Sequence, residues 1–244
     1  MAVQFNRFPT AEQAEQALRN ELLRHISEGP GYTESEDSRT LGTRRATAPY
    51  VIMLPGGSTP LRIYNTLTDT PPAEVHPALH FVLSDDRYVS EESSDSNYHH
   101  IKPMAEALRL PDSRVIHPDT TLSLEDAAAD YGDALQDLDR QKAFFALAIL
   151  GIGTDGHTAS IFPGSPNDSS AWSTPVYEKA GFDRITTGEA FISRFRRLLF
   201  FATGEGKWDI LYEISRRPEE YPAGRLMLSH AAAEIWTDQG YHDE

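Results

Sequence analysis

Residues 144–160 read FFALAILGIGTDGHTAS, an uncharged apolar run followed by a polar loop rich in glycine. An uninterrupted apolar run of this length is typical of a strand that is buried on both faces of a parallel sheet. Shorter apolar runs occupy residues 50–55, 79–84, 114–116 and 196–204. Helical patterns lie between these runs, at residues 59–67, 97–108, 124–139 and 206–215. This alternation predicts an α/β fold in which a mostly parallel open sheet has helices on both faces.

The length of 244 residues suffices for one such domain with a full hydrophobic core. We expect residues 1–244 to form a single domain with a small strand-containing portion near the C-terminal end. Residues 10–27 predict a first helix, with Thr10 as N-cap and Gly29-Pro30 as stop signal. Residues 29–49 are polar and lack periodicity, which predicts a long surface loop.

The charge balance excludes some classes of partner. The chain has 37 acidic and 22 basic residues, a net charge of −15, which argues against binding to nucleic acid. An anionic ligand would therefore need local cations. The absence of cysteine excludes disulfides and thiolate sites, and neither a leader pattern nor a membrane-length apolar run is visible. We expect a soluble cytoplasmic protein without membrane contact, for which a monomer and a homodimer are both compatible.

The loop after residue 150 contains a G-x-G-x-x-G pattern at Gly151, Gly153 and Gly156. A dinucleotide-binding loop would continue into a long helix, but prolines at 163 and 166 interrupt any helix within about two turns. The loop instead places Asp155 beside His157. Imidazole can accept a proton near neutral pH, and a neighbouring carboxylate can orient it, so this pair predicts a reaction centre.

A second glycine-rich turn, Gly56-Gly57-Ser58-Thr59, lies where a predicted strand ends and a helix begins. Its N–H groups and the positive end of the helix would suit a phosphate group. A tight turn capped by a hydroxyl side chain explains the same residues equally well.

Charged and polar side chains follow other predicted strands. Asp85 and Arg87 come directly after residues 79–84, where they can position hydroxyls or an oxyanion, although a solvated loop is favoured when this segment is taken alone. Asn97 opens the next helix. Arg184 and Lys207 would supply the local positive charge that an anionic ligand requires, although each taken alone is more typical of a surface charge.

The order of these motifs resembles the 6-phosphogluconolactonase family, within the larger group that includes glucosamine-6-phosphate deaminases. The resemblance extends over nearly the whole chain, through LPGGSTP (54–60), SDDRYV (84–89), DSNY (95–98), LGIGTDGHTASIFPG (150–164), RIT (184–186), TGEGK (203–207) and YPAGRL (221–226). It implies a hydrolase of the pentose phosphate pathway that converts 6-phospho-D-glucono-1,5-lactone to 6-phosphogluconate. No cofactor and no metal are expected.

The resemblance also implies roles for the candidate residues. His157 would activate water with the help of Asp155, and Arg87 would stabilise the oxyanion. Binding of the sugar phosphate would involve the remaining candidates: Gly56, Gly57, Ser58, Thr59, Asp85, Asn97, Arg184 and Lys207.

Two alternatives stay open. The deaminase branch carries a Glu five residues after the loop histidine, and Phe162 occupies that position here. A sugar-phosphate-binding regulator without turnover would need only the anchoring residues, so the presence of both Asp155 and His157 argues against it.

Overall fold

The computed structural model describes residues 3–29, 48–164 and 170–240. Its main feature is a seven-stranded sheet whose strands all pair in parallel. The strands are β1 (Gln4–Arg7), β2 (Tyr50–Leu54), β3 (Leu79–Leu83), β5 (Val115–Ile116), β6 (Phe144–Gly151), β9 (Arg197–Phe201) and β10 (Ala233–Thr237). Their order across the sheet is β1-β10-β9-β6-β2-β3-β5.

Helices cover both faces of this sheet, as predicted. Those in the described residues are α1 (Ala11–Glu28), α2 (Ser58–Asp69), α3 (Asn97–Ala107), α4 (Leu124–Arg140), α5 (Glu189–Ile192), α6 (Trp208–Arg216) and α7 (Pro222–Ser229). The first three pack into one hydrophobic cluster and the last four into another. Strand β2 divides its side chains between them, since Val51 and Met53 face the second cluster while Ile52 and Leu54 face the first. The parallel sheet is therefore buried on both faces.

Local signals explain where several helices begin. The hydroxyl of Thr10 accepts a hydrogen bond from the N–H of Gln13, and the hydroxyl of Ser96 accepts one from His99, so both act as N-caps. Helix α1 ends at Glu28, and the positive φ of 69° at the next residue, Gly29, suits glycine. The predicted loop at residues 29–49 lies outside the described residues except at its ends.

A second, three-stranded sheet lies beside the first. It contains β4 (Asp85–Arg87), β7 (Ser173–Lys179) and β8 (Phe182–Thr187), in the antiparallel order β4-β8-β7. Ser84 joins the two sheets, because its N–H donates to Leu54 in one sheet and its carbonyl accepts from Thr187 in the other. The short sheet places Asp85 and Arg184 beside the carboxyl ends of the parallel strands.

Candidate active site

A cavity of about 470 Å³ opens at the carboxyl ends of β2, β3, β6 and β9. The chain leaves β2 toward β3 on one side, whereas β6 and β9 lie on the other side of β2. A reversal of strand order opens a crevice between the loops, and this is where open α/β sheets bind ligands. Of the predicted site residues, all but Asp155 line this cavity: Gly56, Gly57, Ser58, Thr59, Asp85, Arg87, Asn97, His157, Arg184 and Lys207.

The loop after β6 holds His157 against Asp155. Oδ1 of Asp155 accepts hydrogen bonds from Nδ1 of the ring, at 2.5 Å, and from the backbone N–H of His157, at 3.1 Å. A neutral ring bonded in this way carries its proton on Nδ1 and its lone pair on Nε2. Partial burial acts to raise the pKa of Asp155, but these contacts with His157 outweigh it and hold that pKa below its ordinary value.

Two glycines make this loop possible. A Cβ at Gly153 would overlap the imidazole of His157, so only glycine lets the backbone pass so close to the ring. Gly156 has a φ of 82°, and a Cβ there would overlap the ring of Tyr221. The G-x-G-x-x-G spacing thus has a local explanation in the packing of the loop around His157.

The ring of Phe162 packs against the imidazole of His157. The two ring centroids are 4.6 Å apart, and the guanidinium of Arg184 lies 6.0 Å from the centroid of Phe162. The side chain that faces His157 at this position is therefore apolar and cannot accept or donate a proton.

The turn after β2 lines the cavity where α2 begins. Gly57 has a φ of 108° and precedes Ser58, the first residue of α2. The first turn of a helix lacks intrahelical acceptors for its N–H groups, and its dipole favours an anion. A Cβ at Gly56 would overlap the side-chain amide of Asn97, so this turn packs directly against the start of α3.

Asp85 is buried and held by several donors. Its oxygens accept hydrogen bonds from the hydroxyls of Ser84, at 2.7 Å, and Ser160, at 2.6 Å. Nη1 of Arg184 lies 3.9 Å from Oδ2 of the same carboxylate. Ser160 belongs to the His157 loop, so this hydrogen bond fastens that loop to the small sheet.

Arg87 and Asn97 contact each other at the edge of the cavity. Nη1 of Arg87 donates to Oδ1 of Asn97 at 3.1 Å, and Nδ2 of Asn97 donates to the carbonyl of Asp85 at 2.8 Å. Nε of Arg87 is buried and has no hydrogen-bond partner among the described residues. The residue as a whole lines the cavity, where the guanidinium can donate to a ligand.

Asp86 fixes the start of α3 rather than facing the cavity. Its carboxylate accepts hydrogen bonds from the N–H groups of Arg87, Asn97 and Tyr98 and from the hydroxyl of Ser96. Burial raises the pKa of Asp86 to about 6, although the N–H donors act to lower it. Asp86 thereby positions two residues that do line the cavity.

Lys207 and Arg184 are cations in a partly desolvated setting. Nζ of Lys207 donates to the carbonyl of Ile152 at 2.5 Å, and Nε of Arg184 donates to the carbonyl of Lys179 at 3.2 Å. Burial lowers the pKa of both side chains, while Asp155 acts to raise that of Lys207 and Asp85 acts to raise that of Arg184. Two partly buried cations at one cavity favour an anionic ligand.

Several residues of the site have no simple sequence signal. The hydroxyl of Ser160 donates to Asp85, and the hydroxyl of Thr186 accepts from the backbone N–H of Ser160. Both contacts form only because the two sheets meet.

Across the described ranges, no group of three or more acidic or histidine side chains could hold a metal ion. No helix among the described residues is long and apolar enough to cross a membrane.

Comparisons with known proteins agree with this geometry. A family model described as glucosamine-6-phosphate isomerases/6-phosphogluconolactonase matches residues 36–236. A 6-phosphogluconolactonase from Aggregatibacter actinomycetemcomitans is 32% identical over 204 residues, covering 78% of this chain and 85% of the relative. The human 6-phosphogluconolactonase is 31% identical over 206 residues, covering 78% of each chain.

Solved structures show the same fold at lower identity. The 6-phosphogluconolactonase of Thermotoga maritima superposes with a TM-score of 0.72 at 23% identity, covering 97% of this chain and 98% of that one. A monomeric glucosamine-6-phosphate deaminase superposes with a TM-score of 0.75 at 18% identity, covering 98% of each chain. With the matched region and the curated relatives, this likeness leads to one conclusion: the chain belongs to the family of glucosamine-6-phosphate isomerases and 6-phosphogluconolactonases.

Proposed function

We propose that this protein hydrolyses the lactone ring of 6-phosphogluconolactone in the oxidative branch of the pentose phosphate pathway, with His157 as general base. The curated relatives place it among lactone hydrolases, a class of carboxylic ester hydrolases. The observation that carries the mechanism is the contact between Nδ1 of His157 and Asp155, which leaves the Nε2 lone pair to accept a proton.

The reaction needs one proton to move twice. A water molecule gives a proton to Nε2 of His157 while its oxygen forms a bond to the lactone carbonyl carbon. The tetrahedral intermediate then breaks the bond between that carbon and the ring oxygen, which takes the proton back from the imidazolium. A negative Asp155 stabilises the imidazolium between the two steps. A general base contributes about 10²- to 10⁴-fold, and positioning of the water adds to this.

The other end of the substrate would be held as an anion. The N–H groups of the turn at residues 56–59 and the start of α2 would accept the phosphate, with Lys207 and Arg184 as counter-ions. Both cations line the same cavity as His157. An anion there replaces solvation that burial has removed from the two side chains.

Arg87 would stabilise the negative oxygen of the tetrahedral intermediate. It lines the cavity, where its guanidinium can donate to that oxygen. Asn97 fixes the guanidinium through its Oδ1. Asp85 is already bonded by two hydroxyls, which suits a role in orienting Arg184 and ring hydroxyls.

The deaminase alternative lacks a proton-transferring group in the required place. Phe162 packs against His157, where the deaminase branch carries a carboxyl group.

The test of the proposed function is a comparison of two substrates with the intact protein. We expect acid release from fresh 6-phosphogluconolactone well above its spontaneous hydrolysis, and no ammonia from glucosamine 6-phosphate. Ammonia release without acceleration of lactone hydrolysis would reverse the assignment, and binding of sugar phosphates without either reaction would indicate a regulator.

A further inference from the structure

Ser160 is a buried residue of the His157 loop, and it contacts the small sheet through two groups. Its hydroxyl donates to Oδ2 of Asp85 in β4 at 2.6 Å, and its N–H donates to the hydroxyl of Thr186 in β8 at 3.0 Å. Asp85 and Thr186 lie opposite each other in the β4–β8 pair. The loop that carries the proposed base is therefore anchored to one pair of facing residues in the small sheet.

The carboxylate that accepts this hydroxyl also lies beside a cation of the cavity. Nη1 of Arg184 is 3.9 Å from Oδ2 of Asp85, the same oxygen that accepts from Ser160. Asp85 and Arg184 line the cavity together with His157, whereas Ser160 is buried and does not line it. The hydroxyl of Ser160 thus connects the loop of the proposed base to the proposed phosphate-binding cation from outside the cavity.

The loop reaches this contact through a strained turn. Thr158 and Ile161 pair with each other, and the N–H of Ile161 donates to the carbonyl of Thr158 at 2.9 Å. Ala159 and Ser160 form the turn between them. Ala159 has a φ of 49°, a left-handed conformation that favours glycine, and such strain persists only where the surrounding contacts fix it. The hydrogen bonds of Ser160, the next residue, supply such contacts.

We propose that Ser160 is a positioning residue that holds the imidazole of His157 at a fixed distance from an anion bound at Arg184. This inference rests on the proposed function for the identity of the reaction. The lactone carbonyl and the phosphate belong to one substrate molecule, so the base and the cation must keep a fixed separation when water attacks. A misplacement of about 1 Å can lower a rate about a hundredfold. Ser160 acts through the loop and does not touch the substrate.

A second serine provides a matched control for this role. The hydroxyl of Ser84 donates to Oδ1 of Asp85 at 2.7 Å, whereas the hydroxyl of Ser160 donates to Oδ2. A hydroxyl that donates to a carboxylate forms a stronger hydrogen bond than two neutral groups do. Both serines are buried donors to the same carboxylate, but only Ser160 belongs to the His157 loop.

The test compares Ser160→Ala with Ser84→Ala in lactone hydrolysis. Each variant removes one buried hydroxyl from the same carboxylate, but only Ser160→Ala releases the loop. We expect Ser160→Ala to lower kcat about tenfold and to change the dissociation constant of 6-phosphogluconate by less than about threefold, since both cations remain. Ser84→Ala should lower kcat by less than about threefold. Equal losses of kcat in the two variants would show that Ser160 acts only on the carboxylate, and would overturn the proposal.

The backbone contact of Ser160 gives a second pair of variants. Thr186→Val removes the hydroxyl that accepts from the N–H of Ser160, whereas Thr186→Ser keeps it. We expect kcat to fall about fivefold in Thr186→Val, the effect of one neutral hydrogen bond, and to stay within about twofold in Thr186→Ser. This pair leaves Ser160 in place, so it tests the anchor even if Ser160→Ala does not fold. The same kcat in the two folded variants would contradict the role of the anchor.

A double variant tests whether Ser160 acts through His157. In the His157→Ala background, Ser160→Ala should change the residual rate by less than about twofold, because no imidazole remains to be positioned. A further loss of about tenfold in the double variant would show that Ser160 supports the whole site rather than the base, and would overturn the proposal.

A measurement without turnover keeps this inference separate from the proposed function. In protein labelled with an NMR-active nitrogen isotope, the Nδ1 and Nε2 signals of His157 can be assigned by their loss in His157→Ala. These signals report the hydrogen bonding of the ring, which in the intact protein includes the contact with Asp155. We expect them to shift in Ser160→Ala and to keep their positions in Ser84→Ala.

The outcomes distinguish the two proposals. Hydrolysis by the intact protein with an unchanged kcat for Ser160→Ala overturns the role of Ser160 alone. Shifted His157 signals in Ser160→Ala, without hydrolysis by the intact protein, overturn the proposed function but support Ser160 as a positioning residue. Unchanged signals together with an absence of hydrolysis overturn both.

Discussion

The contact between Asp155 and His157 predicts how the rate responds when the carboxylate is changed. Asp155→Asn keeps an oxygen that can accept hydrogen bonds from Nδ1 and from the backbone N–H, but it removes the charge that stabilises the imidazolium. Asp155→Ala removes the acceptor as well, so the ring loses its fixed orientation. The two variants therefore separate electrostatic stabilisation from orientation.

The size of each effect follows from the geometry. A hydrogen bond to a charged group contributes about 1.5–3 kcal/mol, and the low end applies because the side chain of Asp155 is 51% exposed. That value corresponds to a fall in kcat of about tenfold for Asp155→Asn. Loss of orientation in Asp155→Ala should increase the fall to about a hundredfold.

The assay is the initial rate of acid release from freshly made lactone, corrected for spontaneous hydrolysis. KM should change little in either variant, since Asp155 lies behind the imidazole and does not line the cavity. A folded Asp155→Ala variant with kcat within about twofold of the intact protein would refute the reasoning, because the carboxylate would then neither orient nor stabilise the ring.

Three further predictions concern other residues. Gly153→Ala places a methyl group against the ring of His157, so kcat should fall about tenfold or more, while thermal unfolding shows a fold that remains intact. Burial raises the pKa of Asp86 above its ordinary value, so the folded protein favours the protonated side chain. The free energy of unfolding therefore falls as the pH rises and Asp86 ionises. The free energy of unfolding can be measured by chemical unfolding at about pH 4 and about pH 6. Between these pH values it should fall by up to about 3 kcal/mol more in the intact protein than in Asp86→Asn. An equal dependence on pH in the two proteins would contradict this. Burial acts to raise the pKa of Glu21, but hydrogen bonds from His25 and Arg24 hold it well below its ordinary value. This stabilisation is lost as the pH falls below about 4. Glu21→Gln should lower the free energy of unfolding at neutral pH by about 2 kcal/mol and leave kcat unchanged. A loss of activity in a folded variant would be inconsistent with the position of Glu21 away from the cavity.

The sequence predicts the central strands and most helices because their apolar runs are long. Strand β6 is eight residues long and buried along most of its length, so its pattern is unambiguous. The sequence predicted a small strand-containing portion near the C-terminal end but did not locate the strands of the small sheet, since β4 reads DDR and β7 contains a proline and exposed residues. These strands form because the large sheet offers Ser84 as a junction, which no local pattern reveals. Strands β1 and β10, the last two strands at one side of the large sheet, escaped prediction for a similar reason, as they are short and partly exposed.

The residues of the candidate site could be predicted where polar side chains and glycines come directly after a strand. Parallel strands end at one edge of the sheet, so the residues after β2 and β6 had to come close together. The contact of Ser160 with Asp85 joins residues 75 positions apart and depends on how the two sheets meet.

The most direct test of the central claim is the rate of acid release from fresh 6-phosphogluconolactone with the intact protein and with His157→Ala. If His157 is the general base, the variant should bind 6-phosphogluconate with similar affinity but hydrolyse the lactone about 10²- to 10⁴-fold more slowly. Hydrolysis by a folded His157→Ala variant at a rate near that of the intact protein would contradict the account.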